Sequence, residues 1–387
     1  MTRIAVLGGG PAGGSAALAL ARGGVAVDLY LPARPGEKPC GGAVPEHVLP
    51  RLAGFDPSAL PAIASPEALL ENARGHRLTL DLAGIRVFRR RDFDRGLVEA
   101  ALAAGAVPRR LKAEGLEAVE KGVRVFAGGE ARTYDWIVGA DGARGLSRRS
   151  LGLIPQGDSV GLGGSLSGLD WRRLVLAFPE IADAYLWIFP RPDGASVGIA
   201  YTPGRLTDGA ARAALDGFLD HHLPEGWRNL PGPRYRYPIP VFGPWTLRAV
   251  RRALGHRILL TGDAAAVADP LTREGIRYGL LTGLWAAESL LTGRPHGYPE
   301  RLESELEGEM ERANHARDLF FEGAIGRWAV PVARAHPGIR RVLNDLLACR
   351  QPYGGLRGRL LRAAVGVGGP PLRGGKPTSR THTPSGP

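Results

Sequence analysis

Six residues near the start of the chain, Gly8-Gly9-Gly10-Pro11-Ala12-Gly13, form a G-x-G-x-x-G. The run follows a short apolar stretch with strand character, residues 3–7, and precedes a small-residue helix pattern over 13–22. In that setting the first glycine permits a tight turn and the second lets the backbone approach a pyrophosphate. The third lets helix and strand pack closely, with the helix N-terminus facing the anion. The chemistry implied is dinucleotide binding. One expected partner is missing. A carboxylate about 20 residues beyond the first glycine, ending the second strand, ordinarily binds the adenosine ribose. The register places Leu31 there, and Asp28 falls on the wrong phase of the strand. Either another group binds the ribose or nucleotide affinity is reduced.

Four further segments carry polar or reactive side chains at element boundaries. Lys38-Pro39-Cys40-Gly41-Gly42 follows the second strand, and Arg90-Arg91-Asp92-Phe93-Asp94 opens a helix. Asp141-Gly142 follows the strand that ends at Val138, and Gly262-Asp263-Ala264-Ala265 follows a buried strand ahead of Glu274-Gly275-Ile276. Each has a plain structural alternative. Asp263 could be a helix N-cap, and Asp141-Gly142 only a turn. One of Arg89, Arg90 and Arg91 could be a solvated charge, and Cys40 a small packed residue. Cys349 has no motif around it and reads as core. The nine histidines show no metal-ligand spacing, and His221-His222 reads as a helix end.

Taken together, these segments resemble the flavin monooxygenase-like superfamily. The Cys-Gly-Gly loop and Tyr185-Leu186-Trp187-Ile188-Phe189-Pro190 make the chain similar to the geranylgeranyl reductase family over about residues 1–300. By that resemblance Gly8, Gly10, Ala12 and Gly13 hold the pyrophosphate of FAD, and Gly41 and Gly42 lie beside the flavin with Cys40. Arg90 contacts the cofactor, Asp141 and Gly142 form its DG motif, Asp263 lies near the ribityl chain, and Gly275 and Ile276 lie near the isoalloxazine ring. Cys40 is then a candidate proton donor or pocket-shaping residue. Tyr185, Trp187, Phe189 and Pro190 are candidates to line an apolar substrate tunnel, or else form ordinary core.

The resemblance implies FAD-dependent reduction of carbon–carbon double bonds in a geranylgeranyl or other isoprenoid chain. The electron donor would be NAD(P)H or a ferredoxin-like protein, since no second G-x-G-x-x-G marks a separate NAD(P)H domain. A flavin-dependent monooxygenase on the same scaffold is the alternative. A halogenase is disfavoured, because it needs a lysine after the FAD loop and none stands between Lys38 and Lys112. A degenerate flavin-binding protein without turnover has only Leu31 in its favour.

The elements that must position these groups give an α/β fold. The expectation is a Rossmann-type FAD-binding domain with an inserted antiparallel-sheet substrate domain and a C-terminal helical region. The FAD-binding part is assigned to residues 1–45, 80–155 and 250–298, and the substrate part to 46–79 and 156–249. A helical region over 299–365, with a break near Pro331, leads to a Gly/Pro/Ser/Thr tail, 366–387, expected to be disordered.

Composition bounds the rest. The 387 residues are 44% hydrophobic and 23% charged, an ordinary globular balance that suits two or more domains. Two cysteines cannot build a disulfide framework and fit a reducing compartment. The N-terminal apolar stretch is too short for a signal peptide, and no apolar run approaches the length of a membrane span. A cytoplasmic or membrane-peripheral protein is expected. The formal net charge is +12, and from Arg327 to Pro387 eleven Arg or Lys face one acid, Asp345. That basic end is a candidate for contact with an anionic membrane surface. No basic, aromatic-interleaved motif suggests nucleic acid.

Overall fold

A computed structural model describes residues 2–32, 37–153, 159–181, 183–232, 234–322 and 325–366. The end of the chain from 367 onward, read as a disordered tail, lies outside the described residues. The apolar stretch Arg3–Leu7 is the central strand of a five-stranded sheet. It pairs in parallel with Ala26–Tyr30 on one side and Trp136–Gly139 on the other, with Val107–Arg109 and Ile258–Leu260 at the edges. Helix Pro11–Arg22 crosses from the first strand to the second. Its small face lets helix Ile276–Leu291 approach closely: a Cβ on Gly283 would lie 2.2 Å from the Ala12 carbonyl oxygen. The stretch leading to Val138 forms two strands, Glu130–Tyr134 and Trp136–Gly139, because Asp135 turns out between them and its carboxylate accepts the Arg3 N–H at 2.7 Å.

A seven-stranded sheet forms a second layer. Its strands are Glu67–Asn72, Arg77–Asp81, Ser159–Ser167, Leu174–Phe178, Ala184–Arg191, Gly194–Tyr201 and Arg234–Ile239. Strand Arg77–Asp81 straddles the boundary placed at 79/80. The chain then adds Ile85–Phe88, paired with Ala43–Pro45 and Ala62–Ala64 in a small sheet, before it returns to the nucleotide layer. One face of the large sheet packs under helix Asp208–His222, with Leu186, Ile188, Val197, Ile199, Leu215 and Leu219 in its core. The pair His221 and His222 ends that helix, as its sequence suggested.

The other face is covered by helices Ile325–Ala335 and Pro337–Leu347. The first runs through Pro331 instead of breaking there. Proline cannot donate to the carbonyl four residues back, which leaves the Arg327 oxygen unmet. The Asn72 side-chain amide donates to that oxygen at 3.1 Å. The break falls instead at His336, ahead of Pro337, where proline opens the next helix. Among the described residues, no helix is long and apolar enough to cross a membrane.

Candidate functional site

Gly8, Gly10 and Gly13 are glycines for different reasons. Gly8 sits at φ +102°, where a Cβ would lie 2.5 Å from the Ala140 oxygen, and a Cβ on Gly13 would lie 1.9 Å from the Gly8 oxygen. Both are required by the chain's own packing. A Cβ on Gly10 would meet only the tip of Arg90, at 4.0 Å. The space at Gly10 is therefore open, and opens into a cavity of about 340 Å3. Two helix N-termini flank it, at Pro11 and at Ile276, the second with Gly275 as its cap. Their partial positive charge suits a pyrophosphate.

The charged groups here are paired with one another. Arg90 is buried and forks onto Asp94, at 3.1 and 2.9 Å. Burial opposes its charge, but Asp94 and the Cys40 thiol outweigh that and raise its pKa. Arg89 and Arg91 turn instead toward Glu37. Asp263 lies in a 3-10 turn and caps no helix; its carboxylate takes the Lys38 ammonium at 2.7 Å. Lys38 is desolvated, yet Asp263 raises its pKa. Lys38 carries no local signal of this role, because nothing in the sequence pairs it with a residue 225 positions away.

The loop glycines shape the floor. Gly42, at φ +83°, would drive a Cβ to 2.1 Å from the Phe88 oxygen, and a Cβ on Gly41 would touch the Phe189 ring at 3.0 Å. Cys40 lines the cavity beside Arg90, and its sulfur accepts the Gly42 N–H at 3.4 Å. Gly142, at φ +81°, also faces the cavity, as do Ala12, Gly275 and Ile276. Asp141 does not. Its carboxylate takes the Ser147 N–H at 2.9 Å and the Ser147 hydroxyl, and so holds the first turn of helix Leu146–Arg149. Burial raises its pKa against those bonds. Asp28 is spent elsewhere too, accepting from Tyr134 at 2.6 Å and pairing with Arg109 at 3.1 Å. Leu31 packs over Gly9, and among the described residues the carboxylates that line the cavity are Asp263 and Glu274.

From this polar end the cavity continues along the large sheet. Tyr185, Trp187 and Phe189 point into it from one face of their strand, whereas Pro190 alternates with Ile188 to the opposite face and does not line it. The Tyr185 hydroxyl donates to the Thr272 oxygen at 3.0 Å, and burial pushes its pKa up to about 12. Buried Arg273, held by Asp183 and Ser159, lies over the Tyr185 ring. The edge strand Arg234–Ile239 adds Tyr235, Tyr237 and Ile239, a period-two set in Arg-Tyr-Arg-Tyr-Pro-Ile that a strand reading would have exposed. Beyond these the walls are aliphatic and aromatic: Leu70, Leu82, Leu174, Leu176, Phe178 and Val330. Cys349, read as core, stands in the cavity wall at φ +55°, and burial pushes its thiol up to about 12.

The arrangement is a cradle for a dinucleotide joined to a long apolar chamber, and the residues present fit FAD. Residues 2–147 match the pyridine nucleotide-disulphide oxidoreductase family. The chain is 30% identical to digeranylgeranylglycerophospholipid reductase 2 of Methanopyrus kandleri, over 74% of this chain and 76% of that one. It is 28% identical to digeranylgeranylglycerophospholipid reductase 1 of the same organism, over 82% and 90%. In three dimensions it matches a geranylgeranyl bacteriochlorophyll reductase-like protein from Thermoplasma acidophilum, with a TM-score of 0.71 and 20% identity over 94% of this chain and all of that one. With this likeness joined to the cradle at Gly10, the chain belongs to the geranylgeranyl reductase family of FAD-dependent oxidoreductases.

Proposed function

We propose that the protein reduces carbon–carbon double bonds of a geranylgeranyl or similar isoprenoid chain. The observation that carries this is the chamber itself, which leads from the cofactor cradle to an aliphatic end beneath residues 325–347 without a break. A prenyl chain is long, apolar and without hydrogen-bonding groups, so its recognition needs such walls and few polar contacts. The relatives' names speak for the same substrate class.

Bound FAD supplies hydride chemistry that side chains lack. The chain's residues do the rest. Tyr185, Trp187 and Phe189 orient the alkene along one face of the sheet, and the two covering helices keep water from it. Reduction also needs a proton at the second carbon. Cys40 is the group we assign to it, because its thiol borders both the cradle and the aromatic strand. Electrons come from NAD(P)H or a ferredoxin-like donor.

The basic C-terminal region is assigned to a membrane surface. Residues 325–366 carry eight Arg against Asp345. On helix Ile325–Ala335 the positions Ile325, Trp328 and Val332 lie on one outer face at 51%, 54% and 37% exposure. An apolar stripe with a tryptophan, bordered by cations, suits the headgroup region of an anionic bilayer, where a prenyl substrate resides.

Chain-length selectivity tests the chamber. Ala329→Trp places a large ring at its far end. Turnover of a geranylgeranyl substrate should fall at least tenfold while a geranyl analogue keeps most of its rate. Equal loss for both chains would show that the prenyl tail does not lie there.

A further inference from the structure

A second cavity, of about 420 Å3, abuts the first. Thr272, Leu346 and Cys349 line both. The two differ in chemistry: the second is lined by Arg51, Arg277, Arg312 and Arg350, with Asp269, Glu305 and Glu309. Two of these acids are already held by backbone donors. Asp269 accepts the Leu271 and Thr272 N–H groups, both at 2.8 Å, and the Tyr353 hydroxyl at 2.9 Å. Glu309 accepts the Tyr353 and Gly354 N–H groups and pairs with Arg312 at 3.0 Å. Arg350 is tied to Asp345, at 2.8 Å. Arg277 lies 3.5 Å from Glu274 and donates through Nη2 to the Tyr278 hydroxyl, which leaves its buried Nε without a hydrogen-bond partner. Arg51 has no carboxylate partner among the described residues. The excess positive charge also registers on a neighbour. Partial burial, then Arg277 and Arg51, hold the His47 imidazole below its ordinary value.

We infer that this second cavity is an anion subsite, in which Arg51, Arg277 and Arg312 hold the phosphate or diphosphate head of the prenyl substrate while its chain lies in the first cavity. The inference rests on the isoprenoid reading above. A phosphorylated prenyl lipid has an anionic head and an apolar tail, and the adjoining cavities have the matching order, with Thr272, Leu346 and Cys349 at the junction. Guanidinium forks suit phosphate oxygens, and Arg51, without a carboxylate among the described residues, and the Nε of Arg277 retain donors for them. Asp269 and Glu309, fixed by backbone N–H groups, set the wall without turning toward the anion.

The test uses FAD-loaded protein and the His47 imidazole resonance, assigned with His47→Gln. Geranylgeranyl diphosphate should raise the His47 pKa, because a bound anion offsets the two arginines. Arg51→Gln should weaken that binding about fivefold, the loss of one charge-assisted contact at an exposed residue. FAD content, and the turnover of uncharged geranylgeraniol, should stay unchanged. A His47 resonance that ignores the prenyl diphosphate overturns the subsite, as does an equal loss for geranylgeraniol and its diphosphate in Arg51→Gln. Inorganic diphosphate that binds as tightly as the prenyl diphosphate would make this a free-phosphate site and overturn the head assignment. A prenyl diphosphate that moves His47 but is never reduced would leave the subsite standing and remove the reductase reading.

Discussion

Gly10 is the residue on which the cofactor cradle turns, because its missing side chain leaves space that the protein does not fill. Gly10→Val should therefore fold and yet bind no FAD, seen as a colourless protein with an unaltered circular dichroism spectrum. The same change at Gly8 or Gly13 would strike backbone and cost folding itself. Leu31 offers the opposite test. Asp28 is committed to Tyr134 and Arg109, so no strand carboxylate serves the ribose. Leu31→Glu should tighten FAD by roughly 1.5–3 kcal/mol, the worth of one charge-assisted hydrogen bond, measured by titration of apoprotein. Unchanged affinity would mean that Asp263 or a backbone group already does this work. Cys40→Ala should retain FAD and lose turnover, whereas an unchanged rate would leave the thiol as packing alone.

At the scale of elements, the nucleotide loop, the aromatic strand and the strand-to-helix junction at Asp263 were legible in the sequence. Their residue types are dictated locally, by turn geometry and by alternation along a strand. What the sequence hid was long-range. The Lys38–Asp263 pair, 225 positions apart, depends on neighbours brought in by the fold, whereas the turning of Asp141 onto Ser147 and the opposite facing of Pro190 are set locally, by the turn and by strand alternation. Pro331 shows the same limit. A proline in a helical pattern predicts a break, but Asn72 on a distant strand meets the carbonyl it orphans. Asn72→Asp keeps the acceptor that the Arg74 and His76 N–H groups use and removes the donor to Arg327. It should cost about 1 kcal/mol in urea denaturation, the worth of one hydrogen bond at a part-buried site. In a Pro331→Ala background, where a helical N–H meets that carbonyl, most of the cost should vanish; an undiminished cost would refute this role.

The whole molecule joins the five-stranded sheet to the seven-stranded one through a wall that holds desolvated acids. Burial raises the pKa of Asp269 and of Glu274. A raised value means that the folded state binds protons more tightly than the unfolded chain. Each group's stabilising share is thus present below the ordinary carboxylate range and is lost as pH rises through its folded-state value. Asp269→Asn removes one such group, and its unfolding free energy should depend less steeply on pH there than that of the parent. An identical slope would show that Asp269 titrates normally. The outer face of residues 325–332 sets the expected approach to lipid. Trp328→Ser should weaken binding to anionic vesicles in a sedimentation assay while leaving FAD content intact.

The most direct test of the central claim is anaerobic. FAD-loaded protein, reduced with dithionite and mixed with a geranylgeranyl substrate in the absence of oxygen, is followed by mass spectrometry of the lipid. The chamber and the cradle predict a product heavier by two hydrogens for each bond reduced, formed without air. A substrate that stays unchanged until air is admitted, and then gains an oxygen atom, would contradict the reductase and establish a monooxygenase on this fold.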